Sequence, residues 1–267
     1  MITVLGSSGF IGSSIVNKLI NGGEEVYAPV RGEFSVERNL GDIIYCIGMT
    51  ADFRTKPFDT VEAHICVLNK ILRECRFDSL TYLSSTRVYI NAIKPVADED
   101  DRIMVDPSNA DELYTLTKLT GERLCLSSGR NVKIVRLSNI IGNDFSSENF
   151  LADIIRKIYT DGKFTLYSSL SSAKDYLFID DAVDLLIKIA VNGKENIYNV
   201  ASGHNISNEE IIAELKKNMH FSYSIAQNAS EMRFPKISVK KISDEFNFKP
   251  TSVLQQISTL LKPYKDV

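Results

Sequence analysis

The sequence predicts an α/β protein built on a parallel sheet with helices packed over it. Two observations predict that class. Short β-type runs alternate with helix-period patterns along the chain, as strand–helix–strand crossovers require. Glycines 6, 9 and 12 fall directly after the first run and open the first helix. A third observation sharpens the class. Only residues 31–40, "RGEFSVERNL", separate the second strand from the third. A complete doubly wound half places a further helix and strand there, so the first half-sheet is predicted to be one strand short.

The elements follow in order. "MITVL" reads as a strand, and "FIGSSIVNKLI" carries apolar residues at helical spacing. "EEVYAPV", "DIIYCIG" and "SLTYLSS" are three further strands. "NVKIVRLSNIIG" and "KENIYNVAS" supply two more, and helices are predicted over 59–75, 109–128, 148–161, 180–192 and 207–217. No internal repeat or low-complexity run interrupts this pattern.

Composition excludes several classes. The 267 residues are 44% hydrophobic and 24% charged, with 31 basic and 34 acidic side chains for a formal charge of −3. That balance points away from nucleic acid and from anionic membranes. No apolar run reaches the roughly 20 residues a spanning helix needs. The chain begins on an apolar strand without a basic leader, so a cytoplasmic setting is expected. Cys46, Cys66, Cys75 and Cys125 form no CxxC pair and lack histidines at ligand spacing, so they read as reduced, mostly core-filling residues, and no metal site is predicted.

"VLGSSGFIGSSI" has the strand–turn–helix setting of a dinucleotide cradle. Glycine lets the chain turn tightly, lets backbone N–H groups reach a pyrophosphate, and aims the positive end of a helix at it. Gly6, Ser8, Gly9, Phe10, Ile11 and Gly12 are the candidate cofactor contacts. In "LYTLTKLTGE", Tyr114 and Lys118 stand four residues apart, one above the other on a helix. That spacing alone is common on solvated helix faces.

The glycine spacing G-x-x-G-x-x-G together with Tyr-x-x-x-Lys resembles the extended short-chain dehydrogenase/reductase superfamily. More closely it resembles the NAD-dependent epimerase/dehydratase family acting on nucleotide sugars. "SLTYLSSTRVY", "RLSNIIG", "KDYLFIDDAV", "IYNVASGHNIS" and "FNFKP" are similar to five further family segments, in the family's order. The resemblance implies a Rossmann-type sheet, a dinucleotide-binding region over 1–140 joined by 176–200, and a small substrate-binding lobe from 141–175 and 201–267. It implies Tyr114 as general acid/base, with Lys118 favouring the phenolate and bonding the nicotinamide ribose. An unassisted phenol, with a pKa of about 10, is a poor base at neutral pH. Ser85 would hold the reacting oxygen, with Ser84 and Thr86 beside it. Asn139, Lys174 and Arg233 would meet the sugar or diphosphate, and His64 stands where the family has a relay asparagine. A homodimer through helices 59–75 and 109–128 is implied by the same analogy.

The reaction is narrowed by departures from the family pattern. Known dehydratases carry Asp-Glu after the strand-end Ser or Thr, whereas this chain has Thr86 and Arg87. An acidic residue ending the second strand marks NAD enzymes, and here Val30 and Arg31 hold that place, with Glu33 two residues beyond. Arginine suits the 2′-phosphate of NADP(H). The expected activity is NADPH-dependent reduction of a nucleotide-linked 4-keto-6-deoxy sugar. A sugar 4-epimerase retaining NAD(H), or a dinucleotide sensor without turnover, are the alternatives.

Overall fold

β1 (Ile2–Leu5) is buried at every position, as an apolar run between two helical layers must be. The computed structural model in which it lies describes residues 1–50, 52–142 and 149–262. α1 (Phe10–Asn21) follows the glycine turn, and β2 (Val26–Tyr27) returns beside β1 for two paired residues only. Pro29 lacks the N–H that would carry a ladder further. β3 (Asp42–Tyr45) pairs with the other side of β1. Residues 31–40 contribute only an isolated bridge from Asn39 to Arg76, so the first half-sheet lacks one strand, as the sequence predicts.

α2 (Pro57–Val61), a π-helical turn over Glu62–Cys66 and α3 (Val67–Glu74) run as one continuous helix into β4 (Ser79–Ser85). β5 (Val96–Ala97) is a short outlying strand, and α4 (Leu113–Ser127) is entered through a 3₁₀ turn over Ala110–Glu112. β6 (Val132–Leu137) completes a parallel run, with β10 (Ile197–Val200) at its far edge. The six-stranded order is β10-β6-β4-β3-β1-β2.

"NVKIVRLSNIIG" is two strands rather than one. The chain leaves the main sheet after Leu137, and β7 (Asn139–Ile141) pairs instead with β9 (Ala173–Phe178). Between them lie α5 (Phe150–Asp161) and β8 (Lys163–Ser168). Residue 148, at the predicted helix start, and residues 263–267 lie outside the described residues. α6 (Ile179–Asn192) packs back on the main sheet. β11 (Asn205–Ser207), α7 (Asn208–Asn218), β12 (Ser222–Ser230), β13 (Lys236–Ile237), α8 (Lys240–Phe246) and α9 (Val253–Leu260) complete the chain. Ile154, Ile158, Phe164, Ile211, Leu215 and Ile257 belong to a second apolar cluster, separate from the cores on the two faces of the sheet. Of the four free cysteines, Cys75 and Cys125 are buried in the core, Cys46 is partly buried and Cys66 is exposed.

One buried ion pair fixes α4 on the sheet. Arg136 of β6 holds Glu122 of α4 bidentately, Nε to Oε1 at 3.0 Å and Nη2 to Oε2 at 2.7 Å. Arg136 Nη1 also donates to the Tyr89 hydroxyl at 2.6 Å and the Glu99 carbonyl at 3.2 Å. Ser84 donates to Glu122 Oε1, and the Tyr89 hydroxyl donates to Asn199 Oδ1 on β10. A buried charge left without its partner is strongly destabilising, whereas the intact pair is near neutral. Glu122→Gln is therefore expected to lower the unfolding free energy by about 3–5 kcal/mol in denaturant titration. A loss below about 1 kcal/mol would show that α4 is held by packing alone.

Candidate active site

Ser85 ends β4 at the carboxyl edge of the sheet, where alternation sends Ser84 and Ser85 to opposite sides. Ser84 turns to Glu122, which corrects the expectation that it faces a substrate. Ser85 caps the following 3₁₀ turn by accepting the Arg87 N–H at 3.1 Å, which leaves its own proton free. That hydroxyl acts on the Tyr114 phenol and favours its ionised form. Thr86 is buried within the same turn.

Tyr114 and Lys118 lie on the sheet-facing side of α4, only 6% and 4% exposed, so the pair is not a solvated helix face. Gly121, one turn on, sets the depth: a Cβ there would stand 2.3 Å from the Tyr82 hydroxyl. Lys118 Nζ donates to the Leu83 carbonyl at 2.9 Å and sits 5.9 Å from the centre of the Tyr114 ring. Gly48 keeps its surroundings open, since a side chain there would press on Lys118 Nζ and His64 Nε2.

Burial decides both protonation states. It pushes the Tyr114 phenol up, and the Ser85 hydrogen bond and Arg87 guanidinium draw it partly back. It pushes Lys118 down to about 7, against the pull of Glu122. In the protein alone the shift of Tyr114 runs away from the phenolate, and Lys118 is not among the groups that draw it back. The cause is desolvation, which outweighs nearby charge when a group is this deeply enclosed.

His64 lies in the π-helical turn and is fully buried. The Met49 N–H donates to its Nε2 at 3.1 Å, so Nδ1 carries the proton and donates to Thr117 Oγ1 at 2.8 Å. Thr117 in turn donates to the Tyr114 carbonyl at 3.0 Å. Burial, reinforced by Lys118, pushes His64 down to about 3 and keeps it neutral. Its ring meets Tyr114 edge-on at 5.4 Å. This histidine packs and braces the helix that carries the tyrosine.

The glycine cradle fits a dinucleotide pyrophosphate. Gly6 has φ +86° and lies against the Cys46–Ile47 peptide, and a Cβ on Gly12 would stand 2.2 Å from the Gly6 carbonyl. A Cβ on Gly9 would meet only the Gly6 carbonyl, at 3.5 Å, so that position faces open space. Gly9 starts α1 without a side-chain cap, and the first turn holds no acidic residue. The amide donors at that end remain for an anion. Ser8 is exposed there, with Phe10 and Ile11 partly buried behind it. Past β2, Val30–Glu33 form a turn closed by Glu33 N–H on the Val30 carbonyl, with Gly32 at φ +83°. Arg31 is exposed on that turn.

The remaining predicted contacts divide. Asn139 is exposed, and its amide donates to the Asp175 carbonyl at 2.8 Å. Lys174 lies between the Phe150 and Phe234 rings, at 5.5 and 6.0 Å. Arg233 is 82% exposed and paired with Glu231, so it is not an enclosed cation as Lys174 is. Two residues at the site were not singled out by the sequence reading as site residues. Phe53 packs against Tyr114 with its ring tilted by 52°, at 5.5 Å, and Arg87 lies over Phe53 at 5.7 Å. The signal for Arg87 was a charge two residues past the strand-end serine; Phe53 left none.

Comparison with known proteins agrees with this architecture. A family model for the NAD dependent epimerase/dehydratase family matches residues 33–201. The UDP-N-acetyl-alpha-D-glucosaminuronate decarboxylase of Bacillus cytotoxicus is 23% identical, over 95% of this chain and 94% of its own. MoeE5 in complex with UDP-glucose and NAD superposes with a TM-score of 0.85 at 19% identity, over 99% of this chain and 98% of its own. RMD from Pseudomonas aeruginosa complexed with NADPH gives 0.79 at 21% identity, over the whole of both chains. At those identities the structural matches speak for the fold alone. With the family model covering more than half of the chain, the protein belongs to the NAD dependent epimerase/dehydratase family and is an enzyme of the NAD(P)-dependent short-chain dehydrogenase/reductase type.

Proposed function

We propose that this enzyme is an NADP(H)-dependent reductase of a nucleotide-linked 4-keto sugar, with Tyr114 as proton donor. The observation that carries the reading is a buried Tyr114 that shares one helix face with the buried Lys118, beside the strand-end Ser85. A ketone reduction needs an acid at the carbonyl oxygen, and a phenol is one. The dinucleotide supplies the hydride when bound. Tyr114 gives its proton to the oxygen as the carbonyl carbon becomes a hydroxyl-bearing carbon, and Ser85 donates to the same oxygen. Lys118 in its ammonium form stabilises the phenolate left behind.

Arg31 supports NADP(H): it occupies the turn past β2, where an acid would meet the ribose hydroxyls, and a guanidinium suits a 2′-phosphate. The similar RMD is complexed with NADPH, although MoeE5 holds NAD. A second reading, 4-epimerisation with retained NAD, is favoured by Glu33 in the same turn. The 6-deoxy sugar predicted from sequence is one member of the 4-keto class. In this reading the substrate-binding lobe comprises 141–175 and 201–267, with Asn139 and Lys174 toward the sugar diphosphate. A cytoplasmic homodimer is part of it, joined through the helices that expose Phe58, Leu116 and Leu126. Among the described residues no helix is long and apolar enough to cross a membrane.

Two measurements test the reading. Cofactor released from denatured protein is identified by mass spectrometry, and the empty fraction is titrated with NADPH and NADH. NADPH is expected to bind more tightly, and Arg31→Ala to weaken it by about 10–100-fold while leaving NADH nearly unchanged. Stoichiometric bound NAD would instead favour the epimerase. The second measurement is calorimetric titration with NADPH in buffers of different ionisation enthalpy. Lys118 falls from its ordinary 10.5 to about 7 in the protein alone, so it is mostly neutral at about pH 8.5. Anionic cofactor raises it again, and uptake of close to one proton is expected, absent in Lys118→Met. Equal uptake by both proteins would place the titrating group elsewhere.

A further inference from the structure

Two half-buried cations, Arg87 near Tyr114 and Lys174 within electrostatic reach of Arg87, have no carboxylate within 4 Å among the described residues. Arg87 lies on the turn that positions Ser85, and its buried Nε has no hydrogen-bond partner. The acids nearby act on it only at longer range. Asp111 is gripped by Arg54, through Nε and through Nη2 at 3.0 Å. Glu112 takes Asn91 on Oε1, while its buried Oε2 has no partner among the described residues. Lys174, half-buried between two phenylalanine rings, is likewise unpaired. Burial pushes both cations down; Arg54 adds to this at Arg87, and Arg87 adds to it at Lys174. Enclosed like charges facing one another call for an anion from outside the chain.

A nucleotide sugar offers anions in two places: the diphosphate on carbon 1 and any acidic substituent on the ring. Carbon 1 lies across the ring from carbon 4. Arg87 instead shares a turn with Ser85 and lies over Phe53, the ring that touches Tyr114, so it is on the side of the reacting carbon. The substituent adjacent to carbon 4 in a hexose is carbon 6 on carbon 5. The planar fork of arginine matches a carboxylate there, and Lys174 is left to the diphosphate side.

We propose that Arg87 is the specificity-determining residue of this site and binds a sugar carboxylate, making the substrate a nucleotide-linked hexuronate or its 4-keto form. The proposal rests on the nucleotide-sugar reading above. It replaces the methyl of a 6-deoxy sugar with a charged group.

The test is binding of UDP, UDP-glucose and UDP-glucuronate to the NADP(H)-loaded enzyme and to Arg87→Met and Arg87→Lys, by calorimetry. The wild type is expected to prefer UDP-glucuronate over UDP-glucose by about tenfold or more. Arg87→Met should remove that gap, and Arg87→Lys should restore part of it. NADPH affinity in each variant reports that the fold is intact. A wild type without preference, or a Met variant that loses all three ligands equally, overturns the proposal. In the latter case Arg87 grips the diphosphate. Binding of NADPH but of none of the three nucleotides overturns the nucleotide-sugar reading as well, which distinguishes the two failures.

Discussion

The position of α4 depends on the Arg136–Glu122 pair, and the site depends on α4. The pair joins β6 to the helix, while Tyr89, the Glu99 carbonyl and Asn199 tie in the turn after β4 and the edge strand β10. Such a pair adds little net stability, because desolvation of two charges offsets most of their attraction. What it gives is register. A bidentate fork has one good geometry, and Glu122 lies one turn beyond Lys118 and two beyond Tyr114 on the same face. Gly121 completes the constraint by letting that face approach Tyr82 without a Cβ between them.

Close approach brings desolvation, and desolvation sets the chemistry. Tyr114 and Lys118 are drawn under the sheet edge, so burial pushes the phenol up and the ammonium down. His64 is treated the same way and remains neutral, its two nitrogens satisfied by the Met49 amide and the Thr117 hydroxyl. A neutral brace is the form compatible with this position, since a charged imidazole beside Lys118 would add a second buried cation. The tyrosine and the lysine therefore owe the direction of their shifts to depth in the fold. Arg87 follows the same logic from the other direction: it is half-buried, and no carboxylate among the described residues lies within 4 Å of it.

The alternation of β-runs with helix periods was legible because each buried strand is nearly all apolar and each covering helix has one apolar side. The missing strand was legible too, since ten residues cannot hold a helix and a strand. Of the strands after residue 160, only the one in "KENIYNVAS" was. β8 and β12 read "KFTLYS" and "SYSIAQNAS", largely polar at their exposed positions, and their pairing spans more than fifty residues. The break at Ser138 was equally hidden, because "NVKIVRLSNIIG" is continuous in propensity and the change of sheet is made by partners distant in sequence.

The sequence by itself determined the dinucleotide cradle, the candidate Tyr–Lys pair and the family, because these are local patterns in which residue type and spacing carry the chemistry. Only the tertiary structure decided which strand-end serine faces the phenol, since one residue of register sends Ser84 to Glu122 and Ser85 to Tyr114. It also decided the direction in which burial shifts Tyr114, and that Arg87 has no carboxylate within 4 Å among the described residues. Both depend on burial and on side chains brought from five separate segments. Such quantities exist only once the chain has folded.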